Sequence, residues 1–153
     1  MAAKKLVFAG EINSTLVEKV WRGNWSELIL CSDGGCTYCM RAICDYLLDK
    51  EKKVIGVGQI MSSATAILAC GTPALCSPNC RFLVHASDLS EASGGIQEMR
   101  NNAEELKVEE NWYLDVLEAR TNLSRLEWKD LIREETVFSA AMAKTIGLVD
   151  AIL

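Results

Sequence analysis

Three places in this sequence put side chains of catalytic chemistry beside small residues. Residues 58–71, GQIMSSATAILACG, set Ser62 and Ser63 in an apolar run, with Gly58 four residues before the first serine. His85 is the only histidine and closes the apolar core of RFLVHA (81–86). Asp33-Gly34-Gly35 follows a third apolar run, ELILCS (27–32). A serine hydroxyl is a weak nucleophile until a neighbouring base takes its proton, and histidine titrates in the range that suits this task. The base needs an acceptor to orient it, usually a carboxylate, and the oxyanion that develops needs backbone N–H donors. Gly35, with no side chain to obstruct the approach, and the residue after the nucleophile are natural donors. Each feature also has a plain structural reading: small serines opening a buried helix, a turn, and a histidine at a strand end.

These residues can meet only if the elements between them bring them to one edge. KLVFAGEI (5–12) reads as a strand, and Ser14 as the N-cap of a helix with Leu16, Val17 and Val20 on one face. ELILCS is a second strand, stopped by the Asp33-Gly34-Gly35 turn. Met40, Ile43, Cys44 and Leu47 give residues 36–49 helical spacing. KVIGVGQI (53–60) is a third strand and SATAILACG (63–71) a helix, with Gly71 suited to the position after its end. Pro73 and Pro78 frame a short segment, and RFLVHA is the next strand. This alternation predicts an α/β fold of repeated βαβ units with parallel strands. Ligands in such sheets gather at the strands' carboxyl ends, where Asp33-Gly34-Gly35, Ser62-Ser63 and His85 all fall.

The pattern changes at residues 96–122, where Met99, Ala103, Leu106, Tyr113 and Leu117 form a stripe in a long charged helix. A helix of this length is expected to project from a small domain as a handle spanning roughly 87–122. Trp112, Tyr113, Leu114, Val116 and Leu117 exceed one narrow face, so self-association is expected to cover them. Residues 124–134 read as another helix. SAAMAKTIGLVDAIL closes the chain with a helix, a stop at Gly147 and an apolar strand. No linker or repeat divides the chain, and residues 1–153 are expected to form one domain.

Composition narrows the function classes. The net charge of −5 and the lack of a Lys/Arg cluster argue against a nucleic-acid partner. Residues 54–80 carry no charge, but their glycines, serines, Gln59 and Pro73 break any membrane-spanning run. MAAKK leads directly into a strand, without the pattern of a secretory signal. The seven cysteines are an odd number and fit reduced thiols in a cytoplasmic protein. Cys36, Cys39, Cys76 and Cys80 have the types for a zinc site, but the 36 residues between the pairs exceed common zinc-ribbon spacing. Neither a metal nor another cofactor is expected.

Taken in order, these motifs resemble the proteolytic subunit of the Clp protease, within the crotonase-like superfamily. VFAGEINSTLVEKV is similar to the family's opening strand and helix, and LILCSDGGCTYCMRAICDYL to its strand, Ser-Pro-Gly-Gly turn and helix. GVGQIMSSATAILACG resembles the Gly-x-x-x-Ser nucleophile turn, CSPNCRFLVHAS the Pro-Asn and His strand, and FSAAMAKTIGLVDAIL the closing segment. The resemblance implies a ClpP-like fold and a serine endopeptidase that cleaves peptides or unfolded protein through an acyl-enzyme. It places the nucleophile at Ser62, the general base at His85, and the oxyanion donors at the N–H groups of Gly35 and Ser63. Counting back from the Gly-Leu-Val-Asp ending puts Glu135 where the family has its triad Asp, with Glu134 and Asp130 as competitors.

The resemblance also implies self-association into a heptameric ring, often stacked in pairs, with the 96–122 helix as the handle between rings. The family's partner is an ATP-driven unfoldase, engaged in part through a segment ahead of the first strand, near which this sequence begins. Several positions depart from the pattern: Asp33 replaces the turn proline, Ser63 a Met, Ala64 a Gly, and Ala86-Ser87 the usual Gln-Pro. Gly94 and Gly95 come late after the histidine, so a substrate-pairing strand has no assigned position. A catalytically silent ring or scaffold subunit and an acyl-CoA enzyme of the superfamily are the alternatives. The acyl-CoA enzyme would need the oxyanion donors and a carboxylate but no nucleophilic serine.

Overall fold

The computed structural model describes residue 2 and residues 4–87 and 94–153. Its strands are β1 (Lys5–Ala9), β2 (Glu27–Ser32), β3 (Lys53–Met61), β4 (Ala74–Cys76), β5 (Arg81–Leu83), β6 (Val137–Ser139) and β7 (Ala151–Ile152). The helices are α1 (Ser14–Arg22), α2 (Thr37–Lys50), α3 (Ser63–Ala69), α4 (Ile96–Arg120), α5 (Arg125–Arg133) and α6 (Ala140–Thr145). The sheet runs β1-β2-β3-β4-β7 with parallel neighbours, and β5 adds to β3 in parallel. The α/β alternation is therefore present, on a mostly parallel sheet.

β3 is the hinge of this architecture. Its first half pairs with β4 (Val54 opposite Ala74) and its second half with β5 (Ile60 opposite Phe82). Between the halves the register against β2 slips: Leu30 faces Gly56, but Ser32 faces Ile60. Two extra residues of β3 are absorbed there, and Gly58 takes φ +66°, a left-handed conformation that glycine adopts without steric cost. The glycine four residues before Ser62 thus marks the bulge that carries the strand's last residues over to β5.

Several boundaries differ from the sequence expectation. Asn13, not Ser14, caps α1, its Oδ1 accepting from Leu16 N at 3.1 Å. The strand expected to run to Ala86 stops at Leu83. The three-residue strands β4 and β6 are additional, and β6 pairs antiparallel with β5, so the sheet is not wholly parallel. β6 enters from α5 and runs head to tail against β5.

The long helix also corrects an expectation. Its carboxyl half packs on the subunit's own core: Leu114 and Leu117 are fully buried, and Trp112 and Tyr113 are half-buried against it. These residues therefore leave no apolar patch for a second copy to cover. The exposed apolar side chains lie in the amino half, at Ile96 (75% exposed), Met99 and Val108. The expected substrate-pairing strand after His85 falls largely on residues 88–93, outside the described residues, as does part of the 87–122 handle. No helix among the described residues is long and apolar enough to cross a membrane.

Candidate active site

Ser62 stands between β3 and α3 with φ 53° and ψ −127°, a backbone conformation that L-residues rarely adopt. Holding a residue there costs about 1–3 kcal/mol and persists only where the surroundings impose it. Here they do. Ser62 N–H donates to Leu83 O at 2.8 Å on β5. Its carbonyl accepts from Thr65 N at 3.0 Å, Thr65 Oγ1 at 2.7 Å and Tyr113 Oη at 3.3 Å. Tyr113 Oη also meets Thr65 Oγ1; with one proton on each hydroxyl, the phenol's is shared between Thr65 Oγ1 and Ser62 O, so α4 clamps the turn from behind. Burial pushes the Tyr113 phenol well above its ordinary pKa, which keeps it protonated and able to donate. Sharp strand-to-helix turns of this kind lift a serine hydroxyl clear of the sheet.

The strain falls on Ser62 and not on Ser63. Ser63 is buried as the first residue of α3, its hydroxyl near Gly35 O at 3.5 Å. Its N–H precedes the first helical hydrogen bond and is left without an intrahelical acceptor. The Gly34-Gly35 loop crosses Ser62 closely. A Cβ on Gly34 would lie 2.8 Å from Ser62 Cβ and 3.3 Å from its Oγ, so the hydroxyl has room only because position 34 is bare. Gly35 N–H makes no hydrogen bond among the described residues, while its neighbours are spent: Gly34 N on Ser32 Oγ and Cys36 N on Ile12 O.

His85 lies two residues beyond β5, half-buried, and lines the same cleft as Ser62 and Ser63. Its Nδ1 is 2.8 Å from Ala86 O. A carbonyl only accepts, so Nδ1 carries the proton in this bond, and Nε2 of the neutral ring holds the free lone pair. No hydrogen bond joins His85 to Ser62 or to a carboxylate among the described residues.

Glu135 follows α5 with φ +49° and an exposed side chain. The antiparallel ladder sets Phe82 opposite Phe138 and Leu83 opposite Val137, and Val84 N reaches Thr136 O at 3.1 Å. Carried two residues beyond the paired strands, that register would set His85 opposite Glu135, but the ladder itself ends at Leu83 and Val137. The competing carboxylates are engaged elsewhere, Asp130 with Arg133 at 3.0 Å and Glu134 with Arg133 at 3.9 Å.

The cysteines are free thiols, and no cluster of metal-ligating side chains forms among the described residues. Burial pushes Cys39 up to about 11 and Cys80 up to about 12, so both are protonated at neutral pH and poor nucleophiles. Sequence reasoning missed Thr65 and Tyr113 as the clamp on Ser62, and Glu109, which lines the cleft. A signal for Glu109 existed: it stands three residues after Leu106 and four before Tyr113, an acidic residue in an apolar stripe.

The Clp protease family model matches residues 24–153. Among curated proteins, the ATP-dependent Clp protease proteolytic subunit 1 of Bifidobacterium longum is 29% identical over 126 residues, 80% of this chain and 54% of that protein. Proteolytic subunit 3 of Nocardia farcinica is 32% identical over 131 residues, 79% of this chain and 57% of its own. Proteolytic subunit 2 of Mycobacterium tuberculosis is 32% identical over 132 residues, with 80% and 59% covered. The chain spans somewhat over half the length of these relatives. With the strand order, the bulged β3 and the serine turn beside the histidine, the match is decisive: the chain belongs to the Clp protease family.

Proposed function

We propose that this chain is a serine-type endopeptidase acting on peptides or unfolded protein within a self-assembled chamber. The observation that carries the reading is the strained, four-bonded turn at Ser62, opening on the same cleft as the only histidine. Ser62 Oγ attacks the substrate carbonyl and passes its proton to His85 Nε2. The oxyanion is received by the N–H groups of Gly35 and Ser63, the two donors left free beside the serine. Collapse expels the leaving amine, which takes the proton from His85, and leaves an acyl group on Ser62. Water, deprotonated by His85, then releases the second product. Glu135 accepts the Nδ1 proton and holds the ring; this requires His85 to exchange its Ala86 contact for the facing carboxylate.

Assembly follows from the family and from the exposed apolar residues of the amino half of α4, which a facing copy would cover. A heptameric ring, or a pair of them, is the assembly proposed, with an ATP-driven unfoldase as a further candidate partner. The free cysteines fit a cytoplasmic setting. Fluorophosphonate labelling with peptide mapping tests the chemistry. A single adduct on Ser62, absent after heat denaturation, is the expected result. An unlabelled Ser62 in the assembled protein overturns the reading and favours a silent ring subunit.

A further inference from the structure

Cys36 and Cys39 share the first turn of α2 and have no part in the chemistry proposed for Ser62. Cys36 is the N-cap of this 14-residue helix and Cys39 its third residue. Cys36 Sγ accepts from Cys39 N at 3.2 Å, so the Cys36 side chain is folded back over Cys39. Its backbone is fixed on both sides: Cys36 N donates to Ile12 O at 3.0 Å, and Cys36 O accepts from Met40 N at 3.0 Å. Both thiols are free and half-buried, whereas Cys44, Cys70, Cys76 and Cys80 are buried. Tyr38, between the two, is 59% exposed, so the turn opens to solvent. Among the described residues no further ligand joins the pair to make a metal site. A Cys-x-x-Cys pair at the amino end of a helix is the arrangement in which one sulfur attacks a disulfide and the other completes the exchange.

We propose that Cys36 and Cys39 form a redox-active dithiol that exchanges with small disulfides of the glutathione class. This goes beyond the peptidase reading and does not depend on it. Cys36, its proton released to solvent, attacks one sulfur of glutathione disulfide; a mixed disulfide forms and the other half leaves as a thiolate, which takes up a proton. Cys39 Sγ then attacks Cys36 Sγ, the internal disulfide closes, and the second glutathione leaves as a thiol with the Cys39 proton. Two protein thiols are oxidised to one disulfide, and one glutathione disulfide is reduced to two thiols. The roles follow from position. The Cys39 N–H and the positive end of α2 lie at the Cys36 sulfur, where the attacking charge forms. Burial, and then the Cys36 sulfur beside it, push the Cys39 thiol up to about 11, so Cys39 is the poorer attacker on an incoming disulfide. Its own step is intramolecular, against a sulfur held within one helical turn, and proximity offsets the small thiolate fraction.

The test incubates the native full chain with excess glutathione disulfide, then denatures it in acid and alkylates it with iodoacetamide. Digestion with trypsin and Asp-N releases residues 33–41, which hold these two cysteines and no other. That peptide should be recovered unalkylated and two hydrogens lighter than the dithiol, and dithiothreitol before alkylation should restore two alkylated cysteines. Cys39→Ser should trap glutathione on Cys36 in about ten-fold or greater yield than Cys36→Ser traps it on Cys39. The wild-type mapping decides the matter even if a variant fails to fold. A 33–41 peptide still alkylated at both cysteines overturns the inference, and so does a disulfide from either of them to Cys31. Equal or reversed trapping in the two variants overturns Cys36 as the attacking sulfur. Fluorophosphonate labelling of Ser62 is read separately, so its failure sinks the peptidase reading alone.

Discussion

The cleft has two walls, and they are held very differently. On the Ser62 wall, one N–H and one carbonyl make four hydrogen bonds to β5, α3 and α4, and every residue of α3 is buried. On the His85 wall, β5 and β6 are three residues each, and among the described residues the imidazole bonds only the carbonyl of the next residue. The Ser62 turn is thus imposed by the subunit's own core, which can sustain strain because its packing leaves no alternative. His85 hangs from the end of a short ladder. Its orientation as the proposed base therefore depends on what packs against that wall, substrate or a second copy.

The largest test of this contrast is at the serines. Ser62→Ala should lower peptide hydrolysis by on the order of 10⁵-fold, as loss of a serine nucleophile does. Ser63→Ala should keep most of the rate, since only its backbone is proposed to act. The opposite pattern would move the nucleophile one residue along the chain. Next comes the loose wall: Glu135→Gln should cut kcat by about 10³–10⁴-fold with assembly intact, whereas Glu134→Gln and Asp130→Asn should not. Equal, small losses at all three would leave His85 without a carboxylate partner.

The third test asks whether assembly sets the base. Ile96→Asp with Met99→Asp should shift solution mass toward that of single subunits and lower the peptidase rate with it, leaving the folded signal of the subunit unchanged. Charges at Tyr113 and Leu117 would instead unfold the subunit, because those side chains belong to its core. A particle of unchanged mass would remove the amino half of α4 from the interface. The Ser62 clamp predicts a smaller effect: Tyr113→Phe removes the hydroxyl that meets both Ser62 O and Thr65 Oγ1, a net loss of about 1 kcal/mol, and should slow turnover about five-fold.

The smallest effect lies away from the cleft, in the sheet beneath it. Glu27 on β2 is flanked by Lys53 on β3 at 2.7 Å and Lys5 on β1 at 3.5 Å, the facing residues of both ladders. The hydrogen bond from Lys53, chiefly, holds its carboxyl below the ordinary range, against the opposing effect of burial. Its folded pKa is the lower one, so its stabilisation is complete above the ordinary carboxylate pKa and is lost as pH falls through the lowered value. Thermal stability of the wild type should drop on that acidic limb, and Glu27→Gln should flatten it. An unchanged limb would show that other carboxylates govern acid unfolding.

Much of this was legible because buried parallel strands read as short apolar runs and their helices as periodic ones. ELILCS is the strand β2 residue for residue, and the long helix was visible from its stripe. β6 was not, since three residues at the end of a helix carry no period of their own and become a strand only by meeting β5. The same limit applied to the long helix: its apolar carboxyl half read as a surface to be covered, when the core of the same subunit covers it.

Residue types and spacing were enough to determine the α/β class and the family resemblance, and to offer a short set of candidate side chains for acyl-transfer chemistry. These depend on local pattern, which a linear chain carries in full. The strain concentrated on Ser62, the bare Gly34 that clears its hydroxyl and, among the described residues, the lone Oε2 of Glu109 were decided only by tertiary structure. Each is a relation between residues distant in sequence. A dihedral angle forced by packing, or an acceptor left dry by it, leaves no trace in the order of the residues themselves.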